Sequence, residues 1–235
     1  MTAPPFRSFP TSSELFSTLA NALAARLAAA IEARSRASLV VSGGSTPAEL
    51  FDRLHGCELA WNKVTVTLAD ERWVSPASDR SNEKLVRARL LKDRAALAQF
   101  VPLKSHHAHA AEAETEINAR IAGTGRPFDV VLLGMGGDGH TASLIPHAEG
   151  LAAALDLSQP QLVRSIVPPA ETAMGERMTL TLRALLESRM IYILIRGEEK
   201  RLAYERALGG RELQEMPVRG VLSQRSVPVE TFWSA

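Results

Sequence analysis

The apolar and polar positions of the chain follow two alternating patterns. Short runs of consecutive apolar residues, typical of strands that are buried on both faces, are separated by longer segments with helical spacing. The first helical segment has leucine or isoleucine at every fourth position from Leu15 to Ile31, after a capping box formed by Thr11 and Glu14. The predicted buried strands are residues 38–41, 64–68, 130–133, 162–167 and 190–195.

The alternation of strands and helices predicts an α/β fold of three layers, with a mainly parallel, Rossmann-like sheet and helices on both faces. No linker, repeat or low-complexity segment divides residues 1–235, so we expect one domain. Residues 100–103 are expected at a sheet edge, because Pro102 cannot donate a hydrogen bond to a ladder. Two further extended pieces are predicted at 218–222 and 227–233.

A turn with four glycines within residues 134–139 follows the third predicted strand. Glycine allows positive φ and lets a ligand approach backbone N–H groups. The pattern predicts a helix that begins at Thr141 or Ser143, whose unpaired N–H groups would favour an anion. Asp138 and His140 lie in and just after the turn, so we expect a binding or catalytic loop.

Parallel strands bring their carboxyl ends to one edge of the sheet, where ligands of such folds bind. Four turns follow predicted strands, at residues 42–47, 69–74, 134–141 and 196–200. Glycine-rich turns and cations suit a phosphorylated small molecule, and a histidine can move a proton near neutral pH. The chemistry-bearing residues of these turns are Ser45, Thr46, Asp70, Glu71, Arg72, Asp138, His140 and Lys200.

Charge and cysteine content narrow the expected partners and compartment. The formal net charge of +1 gives no basic excess of the kind that binds nucleic-acid backbones. A single cysteine, Cys57, excludes an internal disulfide and fits a reducing compartment. We recognise no secretion signal in residues 1–10, and the apolar stretch 27–31 is too short for a bilayer. We expect a soluble cytoplasmic monomer with no nucleic-acid or membrane partner.

Three other kinds of site fit the sequence less well. Residues 134–139 match the dinucleotide pattern G-x-G-x-x-G, but they lie mid-chain instead of in the first βα unit. The chain has no P-loop motif and no G-x-S-x-G motif. His106, His107 and His109 form a cluster, but no neighbouring Cys, Asp or Glu completes a zinc-ligand spacing. We therefore expect an exposed loop there and no metal.

Several motifs, taken together and in order, resemble the 6-phosphogluconolactonase family. This family shares its fold and motif order with the glucosamine-6-phosphate deaminases, and the resemblance covers nearly the whole chain. The motifs are residues 40–47, 70–74 with 81–82, 134–144, 176–181 and the 197–200 turn.

Two positions favour the lactonases over the deaminases. Arg72 stands where the deaminase loop typically has a tyrosine. Ile145 stands where the deaminases have a glutamate that works with their catalytic histidine, and isoleucine cannot replace it. The resemblance thus implies hydrolysis of 6-phospho-D-glucono-1,5-lactone without a metal or organic cofactor. A deaminase-like aldose–ketose isomerase and a non-catalytic sugar-phosphate sensor remain open as alternatives.

The resemblance also implies a role for each candidate residue. His140 would act first as general base and then as general acid, oriented by Asp138. Arg72 or backbone N–H groups of the 134–140 turn would stabilise the oxyanion. Phosphate recognition would fall to Ser45, Thr46, Arg177 and Lys200, and the remaining substrate contacts to Gly43, Gly44, Asp70, Gly136 and Gly137.

Overall fold

The computed structural model describes residues 3–235. Most of its strands belong to one large parallel sheet, and three short strands form a second sheet. The strands are β1 (Phe6–Phe9), β2 (Ala37–Val41), β3 (Val64–Leu68), β4 (Asp70–Arg72), β5 (Gln99–Val101), β6 (Val130–Leu133), β7 (Val163–Ile166), β8 (Arg177–Leu180), β9 (Ile191–Arg196) and β10 (Val229–Ser234).

The large sheet has seven strands in the order β1-β10-β9-β6-β2-β3-β5, and every neighbouring pair is parallel. All residues of β2 and β6 are buried. Because successive side chains of a strand point to opposite faces, both faces of the sheet centre are covered. This confirms the predicted three-layer α/β fold. The expected edge strand is also present, since β5 closes one side of the sheet.

The helices that cover the sheet connect its strands. The helix that starts at Asn82 begins at a side-chain cap, since the Ser81 hydroxyl accepts a hydrogen bond from the Lys84 N–H group at 3.2 Å. The helices are α1 (Ser12–Arg34), α2 (Ser45–Leu54), α3 (Asn82–Arg89), α4 (Glu114–Ala122), α5 (Leu151–Leu155), α6 (Leu182–Leu186), α7 (Glu198–Leu208) and α8 (Arg219–Leu222).

Helix α1 begins where the capping box predicts it, with the Thr11 hydroxyl accepting from the Glu14 N–H group at 3.2 Å. Its leucine face is buried against the sheet, including Leu15 and Leu27. By length and composition alone it could cross a membrane, a test that the core helices of globular proteins also pass. Packing of the leucine face against the strands accounts for its apolar character.

The second sheet is antiparallel, in the order β4-β8-β7. We expected residues 69–74 to form a turn, but Asp70–Arg72 pair with β8 instead. The register places Arg72 opposite Arg177. The partner strand is more than 100 residues away in sequence, so the local pattern of three charges could not reveal the pairing.

Two other predictions of local structure are wrong. No helix begins at Thr141 or Ser143, where tight turns continue until α5 begins at Leu151. Residues 219–222, expected to be extended, form α8. In that helix a Cβ on Gly220 would lie 2.6 Å from a methyl group of Leu182, so the glycine permits a close packing that local sequence does not predict.

Candidate active site

A cleft of about 270 Å³ lies at the carboxyl edge of the parallel sheet, beyond the ends of β2, β6 and β9. The predicted site residues all line it, except Gly137 and Asp138. The four turns that the sequence singled out therefore do converge on one place. The predicted residues that line the cleft are Gly43, Gly44, Ser45, Thr46, Asp70, Arg72, Gly136, His140, Arg177 and Lys200.

The turn after β6 closes on itself instead of feeding a helix. The Gly136 N–H group donates to the His140 carbonyl at 2.8 Å, and the Gly139 N–H group donates to the Gly136 carbonyl at 3.0 Å. The Thr141 hydroxyl, fully buried, donates to the Gly134 carbonyl at 2.9 Å. A rigid turn results, and it presents the imidazole of His140 at the cleft.

Gly136 is required by the close approach of the His140 and Asp138 side chains. A Cβ at this position would lie 2.1 Å from Nδ1 of His140 and 2.4 Å from Oδ1 of Asp138. Gly139 has a φ of +82°, and a Cβ there would lie 2.7 Å from the Met216 side chain. Side chains pack over the turn at both positions, so both need glycine. The sequence alone indicates only that the backbone of this turn is free to adopt unusual conformations.

His140 and Asp138 form the central pair of the site. Oδ1 of Asp138 lies 2.7 Å from Nδ1 of His140 and also accepts from the His140 N–H group at 3.0 Å. Burial works to raise the pKa of Asp138, but the hydrogen bonds and charge of His140 outweigh it and lower this pKa to about 2. Asp138 is therefore a carboxylate at neutral pH, and it is in hydrogen-bond contact with the imidazole.

Asp70 links the small sheet to the segment that follows the turn. Its Oδ2 accepts from the Ser143 hydroxyl at 2.5 Å and lies 3.8 Å from Nη1 of Arg177. Ala142, between His140 and Ser143, has a φ of +49°, an uncommon conformation that turns Ser143 inward. The Asp70 carboxylate is satisfied by protein donors, so its contribution is to position neighbouring groups.

Positive charge is concentrated where β4 and β8 pair. Burial lowers the pKa of Arg177, the Asp70 carboxylate raises it, and the nearby guanidinium groups of Arg72 and Arg80 lower it further. Nε of Arg72 and Nε of Arg177 are buried without a hydrogen-bond partner in the described residues. Arginine remains protonated in proteins, so this part of the cleft favours a negatively charged group.

Glu71 anchors this arrangement to the start of α3. Its carboxylate accepts from the Ser81 hydroxyl at 3.0 Å and from the N–H groups of Arg72, Asn82 and Glu83 at 2.7, 2.8 and 2.7 Å. Burial raises the pKa of Glu71, and these four hydrogen bonds oppose the rise. The carboxylate thereby fixes Arg72 relative to Asn82.

The turn after β2 leads directly into α2, as predicted. Ser45 and Thr46 lie in the first turn of the helix, where backbone N–H groups have no partner within the helix. Gly44 precedes it with a φ of +105°. A Cβ on Gly43 would lie 1.9 Å from Oδ1 of Asn82, so only glycine fits between the two elements. This end of the cleft can bind an anion with backbone donors.

A second cationic group borders the cleft from α7. The side chain of Lys200 forms no hydrogen bond or ion pair with the described residues 3–235, so its ammonium is free to meet a ligand. Gly137, on the neighbouring turn, is covered by α7: its carbonyl accepts from Nη2 of Arg206 at 3.0 Å, and a Cβ would lie 2.3 Å from Oε1 of Glu199. Gly137 thus supports the turn from outside the cleft.

A sequence profile described as glucosamine-6-phosphate isomerases/6-phosphogluconolactonase matches residues 10–233. The matched range includes every strand and helix that borders the cleft. The chain belongs to this family. A family relative named 6-phosphogluconolactonase, from Rhizobium meliloti (strain 1021), is 45% identical over 226 residues, which are 96% of this chain and 97% of the relative.

Two solved structures agree with the fold. A 6-phosphogluconolactonase from Shewanella baltica OS155 superimposes with a TM-score of 0.96 at 45% identity, covering 99% of this chain and 98% of the other. A monomeric glucosamine-6-phosphate deaminase superimposes with a TM-score of 0.78 at 17% identity, covering 98% and 97%. The second likeness is one of fold alone.

Asn82 and Arg196 line the cleft, although neither was predicted as a site residue. Asn82 lies at the start of α3 and donates from Nδ2 to the Asp70 carbonyl at 2.8 Å. Arg196 ends β9, and its Nη1 lies 3.0 Å from Oε1 of Glu49. Arg196 lies in the 196–200 turn, which the sequence had singled out, so its place at a strand end could have identified it as a cleft residue. Asn82 is placed at the cleft by α3 instead of a strand end, and its sequence signal was the 81–82 motif that resembles the family.

The histidine cluster lies outside the cleft. His106, His107 and Glu116 have possible metal-ligand atoms within 4.8 Å of one another, so the fold supplies a carboxylate that the local sequence lacks. Glu116 is, however, also ion-paired with Arg120. His109 is held elsewhere: its Nδ1 lies 2.8 Å from Oε1 of Glu176, and this hydrogen bond raises the pKa of His109.

Proposed function

We propose that this chain hydrolyses 6-phospho-D-glucono-1,5-lactone to 6-phospho-D-gluconate, a step of the pentose phosphate pathway. The observation that carries the proposal is the 2.7 Å contact between His140 and Asp138 at a cleft that also carries unpaired cations. Relatives named 6-phosphogluconolactonase, at up to 45% identity over nearly the whole chain, support this substrate.

His140 acts as the general base and then as the general acid. The Asp138 carboxylate can only accept, so the proton of a neutral His140 lies on Nδ1 and the lone pair on Nε2. Nε2 takes a proton from water as the water oxygen bonds to C1 of the lactone. When the tetrahedral intermediate breaks its C1–O5 bond, Nε2 returns that proton to O5.

The charged groups of the cleft divide between the two ends of the substrate. Arg72 faces the reacting carbonyl and stabilises the oxyanion, a role that backbone N–H groups of the 134–140 turn can share. The phosphate is bound by Ser45 and Thr46 at the start of α2, with Arg177 and Lys200. Gly43, Gly44, Asp70, Gly136 and Gly137 shape the cleft around the sugar.

The acids near the cleft favour hydrolysis over isomerisation. An aldose–ketose isomerase must move a proton between two carbons, which needs a base in addition to the group that opens the ring. Among the described residues that line the cleft, Asp70 is the only acid, and it is satisfied by Ser143 and Arg177. Ile145 is buried and carries no titratable group.

The whole chain, residues 1–235, works as one catalytic domain in this proposal. Its apolar core is one contiguous cluster that includes residues from all layers, which supports the proposal. The ester is already activated and water is the second reactant, so the mechanism requires no metal or organic cofactor. We further propose that it acts in the cytoplasm as a monomer without nucleic-acid or membrane partners.

A side-by-side assay tests this function. Freshly generated 6-phosphogluconolactone and glucosamine 6-phosphate are supplied separately, and acid release and ammonia release are followed against enzyme-free blanks. We expect acceleration of lactone hydrolysis alone. Turnover of glucosamine 6-phosphate alone would assign the isomerase activity to this chain. Binding of both compounds without turnover of either would identify a sensor and overturn the proposal.

A further inference from the structure

A second polar pocket lies at the opposite edge of the parallel sheet, where the strands begin. It has a volume of about 40 Å³ and is bordered by the starts of β2, β3 and β6 and by the 124–127 loop. None of its lining residues belongs to the cleft described above. Four arginines line it: Arg34, Arg36, Arg126 and Arg189.

The carboxylates of this region do not balance its arginines. Oδ1 of the buried Asp129 is paired with Arg34 and lies 3.4 Å from Nε of Arg189. Glu187 is paired with Arg126 and, at 3.0 Å, with Arg183. With Arg36, five guanidinium groups share two carboxylates. Positive charge is therefore in excess here, although the chain as a whole carries a net charge of only +1.

Asp129 explains why two of the four arginines of this pocket, Arg34 and Arg189, lie here. Besides the two arginines, its Oδ2 accepts from the Ser38 N–H group at 2.8 Å and from the Ser38 hydroxyl at 3.2 Å. These bonds tie the start of β2 to the start of β6. Arg34 and Arg189 both lie against this buried carboxylate, but neither Arg36 nor the Nε atom of Arg126 takes part.

Ion pairing does not explain the position of Arg36. Its guanidinium lies over Gly125, where a Cβ would be 3.6 Å from Cζ of Arg36. Within residues 3–235 it forms no hydrogen bond and no ion pair. Nε of Arg126 is buried and also lacks a partner among the described residues. Two guanidinium groups with unused donors thus meet in one polar pocket.

We propose that this pocket binds a tetrahedral oxyanion, with inorganic phosphate as the form that fits it. Guanidinium groups offer paired N–H donors that match phosphate oxygens, which a chloride ion cannot use in the same way. A volume of about 40 Å³ is several times the ~10–15 Å³ needed for one water, but it leaves no space for a sugar.

Binding would join the end of α1 to the 124–127 loop. Arg36 follows Ser35, the residue that ends α1, and Arg126 belongs to the loop that delivers the chain into β6. An anion that bridges the two replaces repulsion between like charges by attraction to a shared partner. The expected consequence is greater thermal stability in phosphate than in chloride at equal ionic strength, because a ligand that binds only the folded state stabilises it.

Calorimetric titration of inorganic phosphate into three variants tests the proposal. All carry Lys200→Ala, which weakens anion binding in the cleft; one adds Arg36→Gln and another adds Arg211→Gln. Arg211 is an exposed arginine that does not line the pocket and provides the same change of charge. We expect Arg36→Gln to weaken phosphate binding about tenfold or more, the scale of one lost charged hydrogen bond, and Arg211→Gln to change it less than about twofold.

The source of the oxyanion is separated by a second titration with glucose 6-phosphate. Weaker Arg36-dependent binding of this phosphomonoester than of phosphate would support the fit to the free anion. Binding that survives Arg36→Gln, or an equal loss in Arg211→Gln, would overturn the proposal. Lactone hydrolysis by Arg36→Gln in the otherwise unchanged chain is expected to equal that of the parent, because Arg36 is not part of the cleft.

Discussion

The two glycine-rich turns of the chain are alike in sequence and differ in what they build. The turn at 42–47 continues into α2, with Pro47 in the first helical turn, and offers backbone donors to an anion. The turn at 134–140 closes on its own carbonyls and presents an imidazole. The difference arises after the glycines: the hydroxyls of Thr141 and Ser143 bond to Gly134 and Asp70 instead of capping a helix. In the proposed mechanism the first turn binds the substrate and the second transfers the proton.

Among substitutions in the turn at 134–140, replacement of His140 should lower the rate of lactone hydrolysis most. For His140→Ala we expect kcat for the lactone to fall by about two orders of magnitude or more, the usual scale for loss of a general base, with little change in KM. His147, a nearby histidine outside the cleft, supplies the matched control His147→Ala. Unchanged turnover in His140→Ala would remove His140 from the mechanism.

The glycines of the second turn can be distinguished from each other. A methyl group at Gly136 would collide with the His140–Asp138 pair, whereas one at Gly134 would meet nothing within 4 Å. We expect Gly136→Ala to lower kcat about a hundredfold, the scale of a displacement near 1 Å, and Gly134→Ala to leave it nearly unchanged. Steady-state kinetics and thermal unfolding of both variants provide the measurement. Equal kinetics in both would show that the His140–Asp138 contact does not limit turnover.

Sequence patterns predict only part of the difference between the two turns. Buried strands and the helix after Pro47 were predictable, because apolar runs and capping residues act locally. The failed helix at Thr141 was not, because its hydroxyl bonds to Gly134, seven residues earlier. The pairing of β4 with β8 and the entry of Asn82 into the cleft depend on contacts between distant segments. Most of the predicted residues that line the cleft could thus be named from the sequence, but the hydrogen bonds that hold them in place could not.

The binding end of the cleft is tested by Lys200. For Lys200→Ala we expect KM to rise about tenfold with kcat nearly unchanged, because a lost charged hydrogen bond to the phosphate weakens ground and transition states equally. Arg201, the next residue of α7, pairs with Glu198 and Glu205 and does not line the cleft, so Arg201→Ala is the control. A fall in kcat at constant KM would contradict phosphate anchoring.

The smallest effect is expected when the negative charge of Asp138, beside the His140 imidazole, is removed. With a pKa of about 2, Asp138 stays ionised throughout the pH range in which the lactone can be assayed, so it cannot itself produce an acid limb in that range. Asp138→Asn removes this charge and leaves a side chain of nearly the same size. We expect it to lower kcat for the lactone about fivefold with KM nearly unchanged, the scale of about 1 kcal/mol from one hydrogen bond to the imidazole. Steady-state kinetics measures the effect. An unchanged kcat would show that the charge of Asp138 contributes nothing to turnover.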